Sequence, residues 1–208
     1  MQVTFSCCSQ ALEKSPWLIK EILDRGHEIS THGVKWVSHF NLSEKEERKI
    51  INKCYNDLFK LTGKPPLGWH TRSATSINTR KLLLEHGGFL YDSNAYNDDL
   101  PYKVNFKNKS IIVIPYAFDT NDMRYESNGG FVQSDDFFIY CKGAFNQLLL
   151  ETKDEKLKMM SIGLHPRIIG RPGRINGLKK LLDYISISEK TWVAKREDIA
   201  KFWAGVKL

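Results

Sequence analysis

The sequence is short of the features that mark most easily read protein classes. No run of its 208 residues is apolar for the roughly 20 positions a membrane helix needs, so a membrane protein is not expected. Cysteine is scarce. Cys7, Cys8, Cys54 and Cys141 show no metal-ligand or redox spacing, and adjacent Cys7 and Cys8 would point to opposite faces of a strand, which fits a reducing compartment. The first residues carry no charged region followed by an apolar core and a small-residue cleavage site, so no export signal is read and a cytoplasmic location is expected. There is no Gly-rich phosphate loop, no Gly-x-Ser-x-Gly elbow and no His-Glu-x-x-His helix, which sets aside nucleotide, serine-hydrolase and zincin readings. Lys and Arg exceed Asp and Glu by 31 to 24, but the excess is spread along the chain rather than gathered into an arm. Nucleic acid is therefore not an expected partner.

What is present is an alternation of helix signals with short β-branched or aromatic runs, the pattern of an α/β protein with a parallel sheet. Ser15-Pro16 reads as a helix start before the apolar face Leu18, Ile19, Ile22 and Leu23, and Gly26 as its stop. His27 to His32 reads as a short strand. Ser43-Glu-Lys-Glu46 is a capping box opening a helix whose stripe runs through Ile50, Ile51, Cys54, Leu58 and Leu61 to Gly63. Pro65 to Trp69 follows as a strand or turn, then a helix through Leu82, Leu83 and Leu84, a strand Phe89–Asp92, and the apolar strand Ser110–Pro115. A helix from Asp135, a strand Met159–Leu164, a helix Arg174–Ile185, a strand Trp192–Ala194 and a helix Glu197–Trp203 complete the chain. With no repeat, low-complexity tract or linker, residues 1–208 read as one domain, a barrel-like layer of strands wrapped in helices.

Polar residues recur at the ends of these strands: His32, Arg72, Asp92, Asp119, Asp122 and His165. In parallel α/β folds the carboxyl ends of all strands open on one face, so these side chains are expected to meet in a cleft. The run from Met159 to Arg174 is the most informative, delivering His165 from an apolar segment into a loop with Arg167, Arg171 and Arg174. Imidazole titrates near neutrality and suits acid/base work, while arginines hold carboxylates or carbonyls in bidentate fashion. Two other readings stay open. His32 and His165 could be packed core residues, and Asp119-Thr-Asn-Asp122 a turn in which side chains bond their own backbone. His27, His70 and His86 are assigned to packing, and Asp98-Asp99 to a loop turn.

His27-Glu-Ile-Ser-Thr-His32-Gly, Gly68-Trp69, Gly87-Gly-Phe-Leu-Tyr-Asp92, Asp98-Asp-Leu-Pro-Tyr102, Asp119 to Arg124 and Met159 to Arg174 together resemble the polysaccharide deacetylase (NodB-homology) superfamily. The Gly-Leu-His-x-Arg-x-x-Gly-Arg-Pro-Gly-Arg run resembles most its allantoinase-type branch, also called urate catabolism proteins. The resemblance covers almost the whole chain. It implies a distorted (β/α) TIM-like barrel, incomplete at its N-terminus, that hydrolyses a non-peptide carbon-nitrogen bond in carbohydrate or ureide metabolism. The superfamily's first motif, with an aspartate base and an aspartate metal ligand, would precede Met1. Its second motif places a second metal histidine four residues after His32, where this chain has Trp36, and its Arg-x-Pro is replaced by Thr71-Arg72-Ser-Ala. A tetrahedral zinc needs three protein ligands, so neither metal nor any other cofactor is expected. His39 lies too far along to be the family's ligand.

The resemblance and the residues then assign His165 as general acid to a leaving nitrogen and His32 to positioning water or the carbonyl. Arg72, Trp36, Trp69, Asp92, Asp119, Asp122, Arg167 and Arg171 are assigned to substrate. The substrate would be a small-molecule or sugar amide, with a homo-oligomer compatible with the sequence. Sugar N-deacetylation and an inactive remnant are the competing readings.

Overall fold

The computed structural model describes residues 1–126, 130–152 and 157–205. These divide into two compact units, Met1–Ala95 with Pro101–Ile114 and Val193–Leu208, and Tyr96–Leu100 with Pro115–Trp192. No helix among the described residues is long and apolar enough to cross a membrane.

The first unit holds the sheet. Strands β1 (Thr4–Cys7), β2 (Glu28–Thr31), β3 (Gly68–Trp69), β4 (Tyr91–Asp92) and β6 (Lys109–Val113) run parallel to their neighbours, and β5 (Tyr102–Phe106) closes one edge antiparallel to β6, in the order β1-β2-β3-β4-β6-β5. Helices α1 (Ser9–Lys14), α2 (Trp17–Asp24), α3 (Glu44–Thr62) and α4 (Thr79–His86) alternate with the strands, and α8 (Arg196–Gly205) ends the unit. Ile19 and Ile22 of α2, Ile51, Cys54 and Leu58 of α3 and Leu82 to Leu84 of α4 are buried in one core with Ile29, Trp69, Phe89 and Ile111. Burial of these faces, rather than propensity, holds such short elements together.

α3 begins where its capping box places it. Ser43 Oγ accepts the Glu46 amide at 3.3 Å and Glu46 Oε2 accepts the Ser43 amide at 3.1 Å, so two of the helix's unpaired donors are satisfied reciprocally. Ser43→Ala should destabilise the protein by about 1 kcal/mol, read from the urea midpoint. An unchanged midpoint would show that the box adds nothing to tertiary packing.

The second unit is built from α5 (Ser134–Glu151), α6 (Pro166–Ile169) and α7 (Ile175–Ser186). Phe137, Cys141 and Phe145 of α5 pack with Ile168, Ile169, Leu181 and Ile185. Two expected strands are absent here. Among the described residues Met159–Leu164 forms one parallel bridge, Gly163 with Asn121, and the Ser161 carbonyl accepts the Thr120 hydroxyl at 2.5 Å. Trp192–Ala194 is irregular, with Trp192 62% exposed, so no buried face draws it into a sheet.

Candidate active site

In the second unit the segment before His165 lies against residues 120–122: Gly163 donates its amide to the Thr120 carbonyl at 3.1 Å and accepts the Asp122 amide at 3.0 Å. A Cβ on Gly163 would fall 2.2 Å from Asn121 Nδ2 and 2.3 Å from the Tyr116 hydroxyl, so only glycine permits this approach. It sets His165 beside Asp122. The Asp122 carboxylate is fully buried, and its Oδ2 accepts the backbone amides of His165 at 2.6 Å and Ile169 at 3.2 Å. Oδ1 accepts His165 Nδ1 at 2.6 Å. A carboxylate can only accept here, so Nδ1 carries the proton and Nε2 is left as the working nitrogen. The His165 side chain is 19% exposed, enough for one edge of the ring to be reached.

The other residues named from this unit are placed differently. Arg167 and Arg171 are exposed at and just beyond α6, whereas Arg174 stacks on Tyr125 at 4.7 Å and donates to the Ile168 carbonyl at 3.4 Å. Asp119 is exposed, its carboxylate 3.4 Å from the Tyr140 hydroxyl. Asp122, assigned to substrate from the sequence, is an interior support for His165 instead.

In the first unit His32 follows β2. Its Nδ1 lies 2.6 Å from the His70 carbonyl and its Nε2 accepts the Trp36 indole N–H at 3.1 Å. That donor fixes the tautomer: Nε2 must be bare and Nδ1 protonated. Gly33, at φ +79°, turns the chain so that Trp36 comes back onto His32. The Arg72 guanidinium sits 4.3 Å over the Trp36 ring. Trp69 is fully buried, its indole donating to Thr71 Oγ1 at 2.8 Å, and Asp92 is buried with Arg80 Nε at 2.8 Å and the Asn94 amide at 2.8 Å. These two support the fold and present no group to a ligand. His39 is buried against Glu47, with Nδ1 to Oε1 at 3.0 Å.

The cysteines offer no nucleophile. Burial pushes the thiols of Cys7, Cys54 and Cys141 up to about 12 and that of Cys8 up to about 11, so all four stay protonated near neutrality. Glu28 carries no local signal of its role; its buried carboxylate accepts Thr4 Oγ1 at 2.5 Å, the Tyr91 hydroxyl at 2.8 Å and the Glu197 amide at 3.0 Å. Burial pushes its carboxyl above the ordinary range although these donors pull it back. A raised folded value means that its stabilising contribution is complete below the unfolded pKa and is lost as pH rises through the folded one. From about pH 4 upward the urea midpoint of the wild type should therefore fall relative to that of Glu28→Gln. Parallel pH profiles of the two proteins would contradict this.

The family model described as polysaccharide deacetylase matches residues 1–87. A polysaccharide deacetylase homologue of Schizosaccharomyces pombe is 37% identical over 221 residues, which span 98% of this chain and 69% of the relative. The chain belongs to the polysaccharide deacetylase family. Among solved structures, Puue allantoinase shares 41% identity at a TM-score of 0.92, covering 98% of this chain and 67% of that one. A Pseudomonas aeruginosa PAO1 protein whose structure is described as a polysaccharide deacetylase also shares 41% identity, at a TM-score of 0.91, covering 97% and 67%. The fold is the mixed α/β fold with a largely parallel sheet found in NodB-type deacetylases, and the protein is a deacetylase-like hydrolase of carbon-nitrogen bonds.

The superfamily resemblance implies a divalent metal at His32, and the residues here do not fit one. The Nε2 lone pair of His32 is taken by the Trp36 indole and Nδ1 is turned to the His70 carbonyl, so neither nitrogen faces an ion. Among the described residues no group of three or more His, Cys, Asp or Glu side chains is gathered as a metal site would require.

Proposed function

We propose that this hydrolase opens a cyclic amide of the ureide type, in the manner of an allantoinase, with His165 as the acid that protonates the leaving nitrogen. The observation that carries the reading is the Asp122–His165 pair: a buried carboxylate fixes Nδ1 and leaves Nε2 directed to chemistry. Water adds to the ring carbonyl as His165 Nε2 takes one of its protons; the carbon-nitrogen bond then breaks, and the nitrogen leaves with that proton, returned from Nε2. The water supplies the hydroxyl of the new carboxylic acid, which then ionises. An imidazolium formed at His165 is stabilised by Asp122, and general acid catalysis of this kind contributes about 100- to 10,000-fold. His32, with both nitrogens engaged, positions its neighbours rather than moving a proton. Arg167 and Arg171, exposed at and just beyond α6, hold ureido or carboxylate groups. The 41% identity to a structure named as an allantoinase supports the ureide reading, and the equal identity to one described as a polysaccharide deacetylase supports a sugar.

Sugar N-deacetylation is the second reading, favoured by the polysaccharide deacetylase family model over residues 1–87. Presenting the chain with hydantoin-type rings and with N-acetylated chito-oligomers separates the two. The proposal expects ring opening and no acetate release; acetate release from the oligomers without ring opening would reverse the assignment.

A further inference from the structure

We propose that Arg72, seated on Trp36, is a carboxylate-binding arm, and that it gives the protein a preference for the ureido acid over the neutral ring from which it forms. This rests on the cyclic-amide reading for the identity of the acid, but not for the existence of the arm. Arg72 is half-buried, and among the described residues its guanidinium has neither a hydrogen bond nor an ion pair; its one contact is the 4.3 Å stack on the Trp36 ring. An arginine held only by its face keeps its five N–H donors, which lie in the guanidinium plane, directed outward in a fork.

Three features hold the arm in place. Trp36 cannot swing, because its indole N–H is donated to His32 Nε2 at 3.1 Å, and His32 is in turn tied through Nδ1 to the His70 carbonyl at 2.6 Å. The backbone beside Arg72 is also constrained: Ser73 has φ +54°, a left-handed conformation that a non-glycine residue adopts at a cost and that recurs at ligand-binding sites. The preceding residue is tied down as well, with the Thr71 amide donating to Asn94 Oδ1 at 2.8 Å. The result is a positive fork with little rotamer freedom left to lose on binding. A planar anion with two oxygens matches it, as a neutral amide does not. Hydrolysis of a ring amide creates such a group, since the carbonyl carbon released from nitrogen becomes a carboxylate. His32 is accordingly a positioning residue for Trp36 and Arg72.

The test uses the full chain labelled with 15N, following the Trp36 indole N–H resonance, identified by its absence in Trp36→Phe. Acetate is expected to shift this resonance in the millimolar range and acetamide, its neutral counterpart, to leave it in place. Arg72→Gln, checked for an unchanged unfolding midpoint, should lose the acetate response. By calorimetry, N-carbamoylglycine should bind at least about tenfold more tightly than hydantoin, and Arg72→Gln should erase the difference. No acetate shift in the wild type, or the same shift in Arg72→Gln, would overturn the arm. If acetate binds through Arg72 while no ring is hydrolysed, the arm stands and the cyclic-amide reading fails. If rings are hydrolysed and Arg72→Gln binds the acid as the wild type does, the reading stands and the arm fails.

Discussion

Replacing His165 with alanine should lower turnover at least about a hundredfold while leaving the protein folded. The loss follows from the arrangement around the ring. Nδ1 is committed to Asp122 Oδ1 at 2.6 Å, so proton transfer to substrate has to run through Nε2, and alanine removes that route. The fold should survive, because the backbone contribution of this position is independent of its side chain. Asp122 Oδ2 continues to accept the amides of residue 165 and Ile169, and the core residues Ile168 and Ile169 remain buried behind them. Single-turnover and steady-state rates on a cyclic ureide, with a urea titration of the same preparation, separate chemistry from stability. Turnover within a factor of a few of the wild type, in a protein of normal midpoint, would remove His165 from the chemistry.

The largest stability effect is expected at Glu47, a residue with no part in the proposed reaction. It lies on α3 one turn before Ile51, on the stripe that continues through Cys54 and Leu58, and so points inward with no solvent exposure. Its Oε1 accepts Thr79 Oγ1 at 2.5 Å and His39 Nδ1 at 3.0 Å, and its Oε2 accepts the Ser76 hydroxyl. Burial alone would push this carboxyl up, but the donors from His39, Ser76 and Thr79 outweigh it and hold the carboxyl below its ordinary range. Glu47→Ala strands three buried polar groups at once, and removing one partner of a buried pair costs about 3–5 kcal/mol. The urea midpoint reports this directly, and a cost below about 1 kcal/mol would mean that water enters and replaces the carboxylate. The pH dependence has the opposite sign to that of Glu28. A depressed folded value contributes stability above the unfolded pKa that is lost as pH falls, so the difference between wild type and Glu47→Ala should narrow on acidification.

These two residues also show how far the sequence can be read. His165 was found from its place after an apolar segment and before a cluster of arginines, a linear signal. Its partner was visible only as one acid in Asp119-Thr-Asn-Asp122, and nothing local distinguishes the exposed Asp119 from the buried Asp122. That depends on Gly163 passing against Asn121, a contact between segments about forty residues apart. Glu47 is hidden in the sequence because the first turn of a helix ordinarily carries exposed acids, as Glu46 is here, with Glu44 half-exposed beside it. Trp69 and Asp92, assigned to substrate, lie on strands two residues long, and their side chains turn into the interior where Thr71 and Arg80 meet them.

Secondary structure follows the same division. The capping box and apolar stripe of α3 are local and were legible, as was the alternation of helix and strand. β5 carries its own signal, since Tyr102, Val104 and Phe106 alternate with Lys103 and Asn105, the period of a half-exposed edge strand. Met159–Leu164 has the composition of a strand but forms a single bridge, Gly163 with Asn121, among the described residues. Strand formation is decided by pairing partners, which composition does not reveal.

The most direct test of the account is ring opening of a cyclic ureide by the chelator-treated chain, with wild type and His165→Ala compared and acid production followed. The wild type is expected to form one carboxylate per ring opened, undiminished by chelator, and His165→Ala to be slower by at least about a hundredfold. Ring opening that the chelator abolishes, or that His165→Ala supports at the wild-type rate, would contradict it.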